Sequence, residues 1–391
     1  MIKTPIYLDY CATTPCDPQV VQKMLPYFTD YFGNAASRDH IYGWQAKDAV
    51  EQAREQIARL IGASSNQIVF TSGATESINL ALKGVAEAKG MRGKHIITTK
   101  AEHKAVLDTC RYLEQKGVAV SYLEVDNDGQ IGLDALEKAI RRETVCIAIM
   151  WANNETGIIN PVKKIGEIAR KYNLYFMCDA TQAIGKIPID VDECHIDLMA
   201  FSAHKLYGPK GVGALFVRGR EPKVDLWQQQ HGGNHERGKR SGTLNTPGIV
   251  GFGEAANICY EKMSAEGERL QKWRNQLEKN IIADIRGAHI NGRGERLPHV
   301  TNIFFPEIEG EQLLLAISRH LALSRGSACS GLVQQPSHVL LAMGLSALEA
   351  QQSLRISIGR FTEEKDIEVS FGILSDTLRK LWLTKQTSIS Y

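Results

Sequence analysis

A chain of 391 residues, 43% hydrophobic and 23% charged, is long enough for a large domain and a smaller one, each with its own core. A formal net charge of +2 gives no electrostatic footing for direct binding to nucleic acid or to a membrane surface. No basic tail, secretory leader or apolar run of membrane-spanning length interrupts it, so the expectation is a cytoplasmic enzyme without membrane attachment.

From residue 67 onward short apolar runs alternate with helical patterns. Gln67-Ile68-Val69-Phe70 reads as a strand that leads through a turn into a helix over 76–88. A strand at 95–99 precedes a helix over 105–115, and a strand at 118–125 precedes one near 133–141. Cys146-Ile147-Ala148-Ile149-Met150 runs into Asn153-Asn154-Glu155, and a helix over 162–171 leads to an apolar run ending in Asp179. Strands at 198–202 and 213–217 lie too close together for a crossover helix, which makes that pair antiparallel. A long helical pattern from 246 to about 285 follows, then a strand at 301–305, a helix at 311–318 and a strand at 354–358. The alternation predicts a large α/β domain with a mainly parallel sheet covered on both faces, followed by a small α+β domain. The expected division is residues 1–15 as an N-terminal segment packing with the small domain, 16–258 as the large domain and 259–391 as the small one.

The chemistry concentrates around Phe201-Ser202-Ala203-His204-Lys205-Leu206-Tyr207-Gly208-Pro209-Lys210-Gly211, where one lysine follows an apolar strand and precedes a glycine turn. Asp179 ends its own strand upstream. Either residue alone reads as a surface charge; together they are what pyridoxal phosphate needs, a Schiff-base amine and a carboxylate for the pyridine nitrogen. Thr71-Ser72-Gly73-Ala74-Thr75-Glu76 is either a phosphate cradle at a helix start or a plain capping box, and the downstream lysine favours the cradle. His103 follows a strand, where it can stack on a pyridine ring and move protons or simply be a solvated histidine. Gln182 is placed to reach the ring hydroxyl, and Asn154 to donate to a carboxylate.

The polar, glycine-rich run 231–243 holds two histidines and a glutamate whose spacing fits no standard ligand set, so it reads as a loop over a phosphate in this or a neighbouring subunit rather than a metal site. The eight cysteines include no CxxC pair. Seven read as small buried hydrophobes. Cys329, in Ser324-Arg325-Gly326-Ser327-Ala328-Cys329-Ser330-Gly331, is either a nucleophilic thiol in a loop of small residues or an incidental loop cysteine. Arg355, in a β-like run, is either a bidentate clamp for a substrate carboxylate or an ion-paired surface arginine.

Taken in order, Leu8-Asp9-Tyr10-Cys11-Ala12-Thr13-Thr14-Pro15, Gly73-Ala74-Thr75-Glu76, Ala101-Glu102-His103-Lys104, Asp179-Ala180-Thr181-Gln182, Ser202-Ala203-His204-Lys205, Arg240-Ser241-Gly242-Thr243 and Gly326-Ser327-Ala328-Cys329 resemble the cysteine desulfurases of the NifS/IscS type. The resemblance runs nearly end to end. It implies the aspartate aminotransferase fold (fold type I), pyridoxal 5′-phosphate as cofactor and a homodimer. It further implies Lys205 as the Schiff-base lysine and proton carrier, Asp179 on the pyridine nitrogen, His103 stacked on the ring and Gln182 on its phenolic oxygen. Ala74, Thr75, Ser202 and His204 would hold the phosphate, with Thr243 arriving from the second subunit. Asn34, Asn154 and Arg355 would bind L-cysteine, and Cys329 would attack its sulfur, leaving an enzyme persulfide and releasing alanine.

The implied partner is a sulfur-acceptor protein serving iron–sulfur assembly, tRNA thiolation or DNA phosphorothioation, with the chain's ending at Tyr391 favouring the last. Two other readings are a selenocysteine lyase or cysteine β-lyase that needs no enzyme thiol, and a sulfur-relay module with a vestigial cofactor site.

Overall fold

The computed structural model describes residues 5–324 and 335–389. Strand β1 (Ile6–Tyr7) opens the chain, and the strands β2 (Ile68–Thr71), β3 (His95–Thr99), β4 (Ala119–Leu123), β5 (Thr144–Ala148), β6 (Tyr175–Asp179), β7 (Leu198–Ser202) and β8 (Gly213–Val217) build the main sheet. Its order is β2-β8-β7-β6-β5-β3-β4. All neighbours are parallel except those of β8, which runs antiparallel to both β7 and β2. The expected mainly parallel sheet with an antiparallel β7–β8 pair is therefore the observed one. The short link between those two strands leaves no room for a right-handed crossover.

Helices cover both faces, so the strands alternate between two apolar layers rather than between core and water. In β6, Phe176 and Cys178 enter one cluster with Ile97, Ile147 and Phe201, while Tyr175 and Met177 enter the other with Ile96, Cys146 and Leu215. On the first face the helix Ile41–Leu60 lies against the 39-residue helix Thr246–Asp284. A side chain at Gly253 would come within 2.5 Å of the Ala53 backbone, so glycine sets how closely the two approach.

A third cluster gathers Leu8, Leu277, Ile303, Leu313, Leu354 and Ile356 around a smaller sheet. That sheet has the order β12 (Ser353–Ser357), β10 (Val300–Phe304), β9 (His289–Ile290), and β1 pairs in parallel with β11 (Leu321–Ala322). Among the described residues no helix is long and apolar enough to cross a membrane.

The architecture decides where chemistry can happen. Strands β2, β3, β5, β6 and β7 all end on one edge, and β8 begins there, so the segments after Thr71, Thr99, Ala148, Asp179 and Ser202 converge.

Candidate active site

A cavity of about 580 Å³ lies at that edge, lined from five strand ends and from the segment Cys11-Ala12-Thr13. Lys205, Asp179, Gln182, His103, Ala74, Thr75, Ser202, His204, Asn154 and Arg355 all line it. Asn34 and Thr243 do not: both are exposed elsewhere on this chain, and the Asn34 carboxamide accepts from the Ala36 N–H at 2.9 Å within its own turn. Cys329 lies outside the described residues.

Lys205 closes a short 3-10 turn directly after β7. Its Nζ donates to the Cys11 carbonyl and, at 2.8 Å, to the Ala12 carbonyl. Burial pulls its pKa down to about 8, helped by Arg355 and offset by Cys11 and Asp9, so the uncharged amine becomes a substantial fraction near pH 8 rather than above 10. The segment that receives the lysine is itself tied down. Thr14 donates its hydroxyl to the His204 carbonyl at 2.9 Å, and the Cys11 N–H donates to Ser357 Oγ at 3.0 Å. Gln182 adds a bond to the Cys11 carbonyl at 3.0 Å.

Asp179 is the last residue of β6 and only 6% exposed; its Oδ1 accepts from the Thr181 N–H at 3.0 Å. The Thr181 hydroxyl, buried beside it on the cavity wall, has no hydrogen-bond partner among the described residues. A buried donor left open in this way calls for a further polar group in the cavity.

Opposite, the helix Ala74–Ala88 begins at Gly73 without a side-chain cap, leaving its first amides aimed at the same space. Gly213 faces Thr71 on one side and Ser202 on the other; a Cβ there would meet the Gly73 Cα at 2.6 Å. Only glycine lets the turn settle beside Ser202. The capping-box alternative fails at this point, because the N-cap is Gly73 and no side chain caps the helix, although Glu76 accepts from Ser72 N–H (2.7 Å) and from Arg240 Nε (2.8 Å). Burial alone would raise the Glu76 pKa, but the Arg240 and Ser72 bonds bring it below the ordinary value.

His103 caps the helix Lys104–Gln115, its Nδ1 accepting from the Ala105 N–H at 3.1 Å, so the neutral ring carries its proton on Nε2. Desolvation lowers its pKa, with Asp179 opposing and Lys205 reinforcing. The pKa of His204 falls to about 4 through burial and then Lys205 and Lys210, which leaves a neutral ring bonded to Thr13 Oγ1 at 3.1 Å.

Arg355 is 2% exposed, which removes the surface-arginine reading. It stands in β12, donating from Nη1 to the Asn154 carbonyl (2.8 Å) and from Nη2 to Asp9 Oδ1 (2.5 Å). Its backbone N–H bonds the Ser324 carbonyl at 2.8 Å. Sequence reasoning assigned no role to Asp9, the Cys11 carbonyl, Glu155 or His338, although the last two line the cavity. Asp9 and Cys11 sit inside a motif that was recognised; nothing in the spacing around Glu155 or His338 marks them. The loop 231–243 does not line the cavity of its own chain. Its glutamate, Glu236, turns inward to a bidentate pair with Arg54 at 2.8 and 2.9 Å.

An amine with a depressed pKa, a facing carboxylate, a histidine lid and an uncapped helix start with hydroxyls fit one group, pyridoxal 5′-phosphate. The comparisons agree. The aminotransferase class-V family model matches residues 6–369, and the chain belongs to that family, whose cofactor is pyridoxal phosphate. Within it the chain is one of the cysteine desulfurases. It is 50% identical over 381 residues to the cysteine desulfurase IscS of Anaeromyxobacter sp. (strain Fw109-5), covering 97% of this chain and 94% of that one. A solved NifS-like protein superimposes with a TM-score of 0.89 at 38% identity, covering 97% of this chain and 100% of that one. The structure of SspA in complex with cysteine matches with a TM-score of 0.80 at 38% identity, covering 92% and 100% respectively.

Proposed function

We propose that this protein removes sulfur from L-cysteine, releasing L-alanine and loading the sulfur onto its own thiol at Cys329 for a protein acceptor. The observation that carries the reading is the convergence of Lys205, Asp179 and Arg355 on one cavity. Pyridoxal phosphate, when bound, supplies the electron sink that makes the substrate sulfur open to attack by a thiolate. Asp179 would pair with the ring nitrogen, Gln182 with the ring oxygen and His103 with the ring face. The amides of Ala74 and Thr75, with Ser202 and His204, would hold the phosphate.

Lys205, partly neutral near pH 8, is able to take a proton at Nζ and return it. Arg355, held by Asp9 and the Asn154 carbonyl, offers a fixed cation to the substrate carboxylate, with the Asn154 side chain beside it. Ser324, bonded to the Arg355 backbone, is five residues from Cys329, a span of at most about 18 Å.

Thr243 and Asn34 would reach the site from a second copy of the chain. An exposed apolar row supports a homodimer: Leu25, Phe28, Phe32, Ile41 and Trp44 are each about half exposed or more. The domain boundaries at 15/16 and 258/259 belong to the same proposal. Cys259 is buried in the first cluster and Leu270, on the same helix, in the third, while Leu8 joins the third from the N-terminal segment. For the acceptor, similarity to proteins named IscS favours a general sulfur-donor role over a dedicated phosphorothioation one.

The deciding experiment is a single turnover with L-cysteine, wild type beside Cys329→Ala, following alanine and protein-bound persulfide. Both products from wild type alone are expected. Equal turnover by the two proteins would move the assignment to a lyase that needs no enzyme thiol.

A further inference from the structure

Three histidines line the cavity, and backbone partners hold two of them, His103 and His338, in the same Nε2–H tautomer while leaving opposite ring nitrogens free. His103 accepts at Nδ1 from the Ala105 N–H, so when neutral it presents only an N–H, from Nε2. His338 is bonded through Nε2 to the Glu102 carbonyl at 2.9 Å, and a carbonyl only accepts. Neutral His338 therefore carries its proton on Nε2 and keeps the Nδ1 lone pair. Protonating His103 on Nδ1 would break its helix-capping bond, whereas His338 gains a proton on Nδ1 with no bond lost.

His338 is also held in place. It opens the helix His338–Ala342, whose cap Ser337 accepts from the Leu340 N–H at 3.2 Å and donates to Glu155 Oε2 at 2.5 Å. Three charged or titratable groups face it across the cavity. They are Glu155, Lys104 and His103, all of which line the cavity with it.

We propose that His338 is a second acid–base group of this site, taking the proton from the thiol that attacks the substrate, while neutral His103 offers only a hydrogen-bond donor, its Nε2–H. This rests on the desulfurase reading. The thiol S–H proton passes to Nδ1, the thiolate forms the new S–S bond, and the substrate Cβ–S bond breaks with its electron pair left on carbon. The proton held on His338 is returned as the alanine methyl forms. Cysteine plus enzyme thiol thus becomes alanine plus enzyme persulfide, with no external oxidant or net proton.

Two measurements test it on the cofactor-loaded protein. The first is ¹⁵N NMR of labelled histidines, assigned by loss of one signal in His338→Gln. A protonated Nε2 and bare Nδ1 at His338 are expected, and the reverse tautomer would overturn the proposal. The second is single-turnover persulfide formation from pH 6 to 10. Gln at this position keeps the donor to Glu102 but has no base, so the rate should fall roughly 100-fold near pH 7. The deficit should close above the ordinary thiol pKa of about 8.5. In His338→Ala, added imidazole should restore part of the rate. The pyridoxal absorbance change on binding L-cysteine should stay as in wild type. An unchanged rate and pH profile would refute the role, as would a deficit that is equal at every pH and deaf to imidazole. No persulfide even from wild type would instead sink the desulfurase reading, and this inference with it.

Discussion

Glu236→Ala puts the buried anchor of the 231–243 loop to a quantitative test. The carboxylate meets Arg54 through both oxygens and also accepts from the Phe70 N–H at 2.7 Å. Side-chain exposure is 3% for Arg54 and 2% for Glu236, so solvent screens the pair very little. Burial works against the Arg54 charge, but Glu236 and Glu51 more than restore it. Truncation would leave that charge with Glu51 and the Ile68 carbonyl, and would strip the Phe70 amide of its acceptor.

Removing one partner of a buried pair costs about 3–5 kcal/mol, and we expect a loss of about 4. Urea denaturation at fixed protein and saturating cofactor reads it. Arg54→Met combined with Glu236→Leu removes both charges and should lie within about 2 kcal/mol of wild type, the remainder being the orphaned Phe70 amide. The loop also carries Arg240, bonded to Glu76 on the cavity wall, so the single variant should release cofactor faster in a gel-filtration wash. A single-variant loss under about 1 kcal/mol, or a double variant no better than the single, would refute the reasoning.

Three further outcomes are expected. Reconstitution of cofactor-free protein with pyridoxal phosphate should speed up with pH and level off just above 8, because the free Lys205 amine is the reacting form; a rate still climbing at pH 10 would contradict the burial argument. Arg355→Lys should raise KM for L-cysteine about tenfold or more with a smaller change in kcat, since an ammonium cannot bridge Asp9, Asn154 and a carboxylate together; an unchanged KM would exclude Arg355 from substrate binding. His95 is held neutral by burial first and then Arg141, with its pKa lowered from 6.5 to about 4. The unfolded chain then binds more protons between those values, so its share of stability is complete above pH 6.5 and about 3 kcal/mol is lost as pH falls towards 4. In His95→Asn that slope should flatten, and an acid-denaturation profile identical to wild type would dismiss it.

The sheet was readable from the chain because each strand is a short apolar run closed by a turn and followed by an amphipathic helix. Burial on both faces removes any alternation that could mislead. The helix Ile41–Leu60 was not anticipated. Its buried face is Gly43, Ala46, Ala49, Val50, Ala53 and Ile57, small residues whose hydropathy is weak although their close packing against Thr246–Asp284 is tight. Boundaries moved by a residue or two, as with β4, expected at 118–125 and found at Ala119–Leu123. Lys205, Asp179 and Arg355 were legible because residue type and a strand end together restrict what each can do.

What the sequence determined by itself was therefore the fold class, the cofactor and most of the groups it named that line the cavity, since these depend on local pattern and on chemistry few residue types can perform. Tertiary structure alone decided which oxygen receives the Lys205 amine, that Asp9 holds Arg355 from 346 residues away, and which ring nitrogen of His103 and of His338 carries the proton. Those outcomes turn on hydrogen bonds between segments remote in the chain. Such a bond leaves no periodicity to read, because its geometry exists only once the strand ends have met.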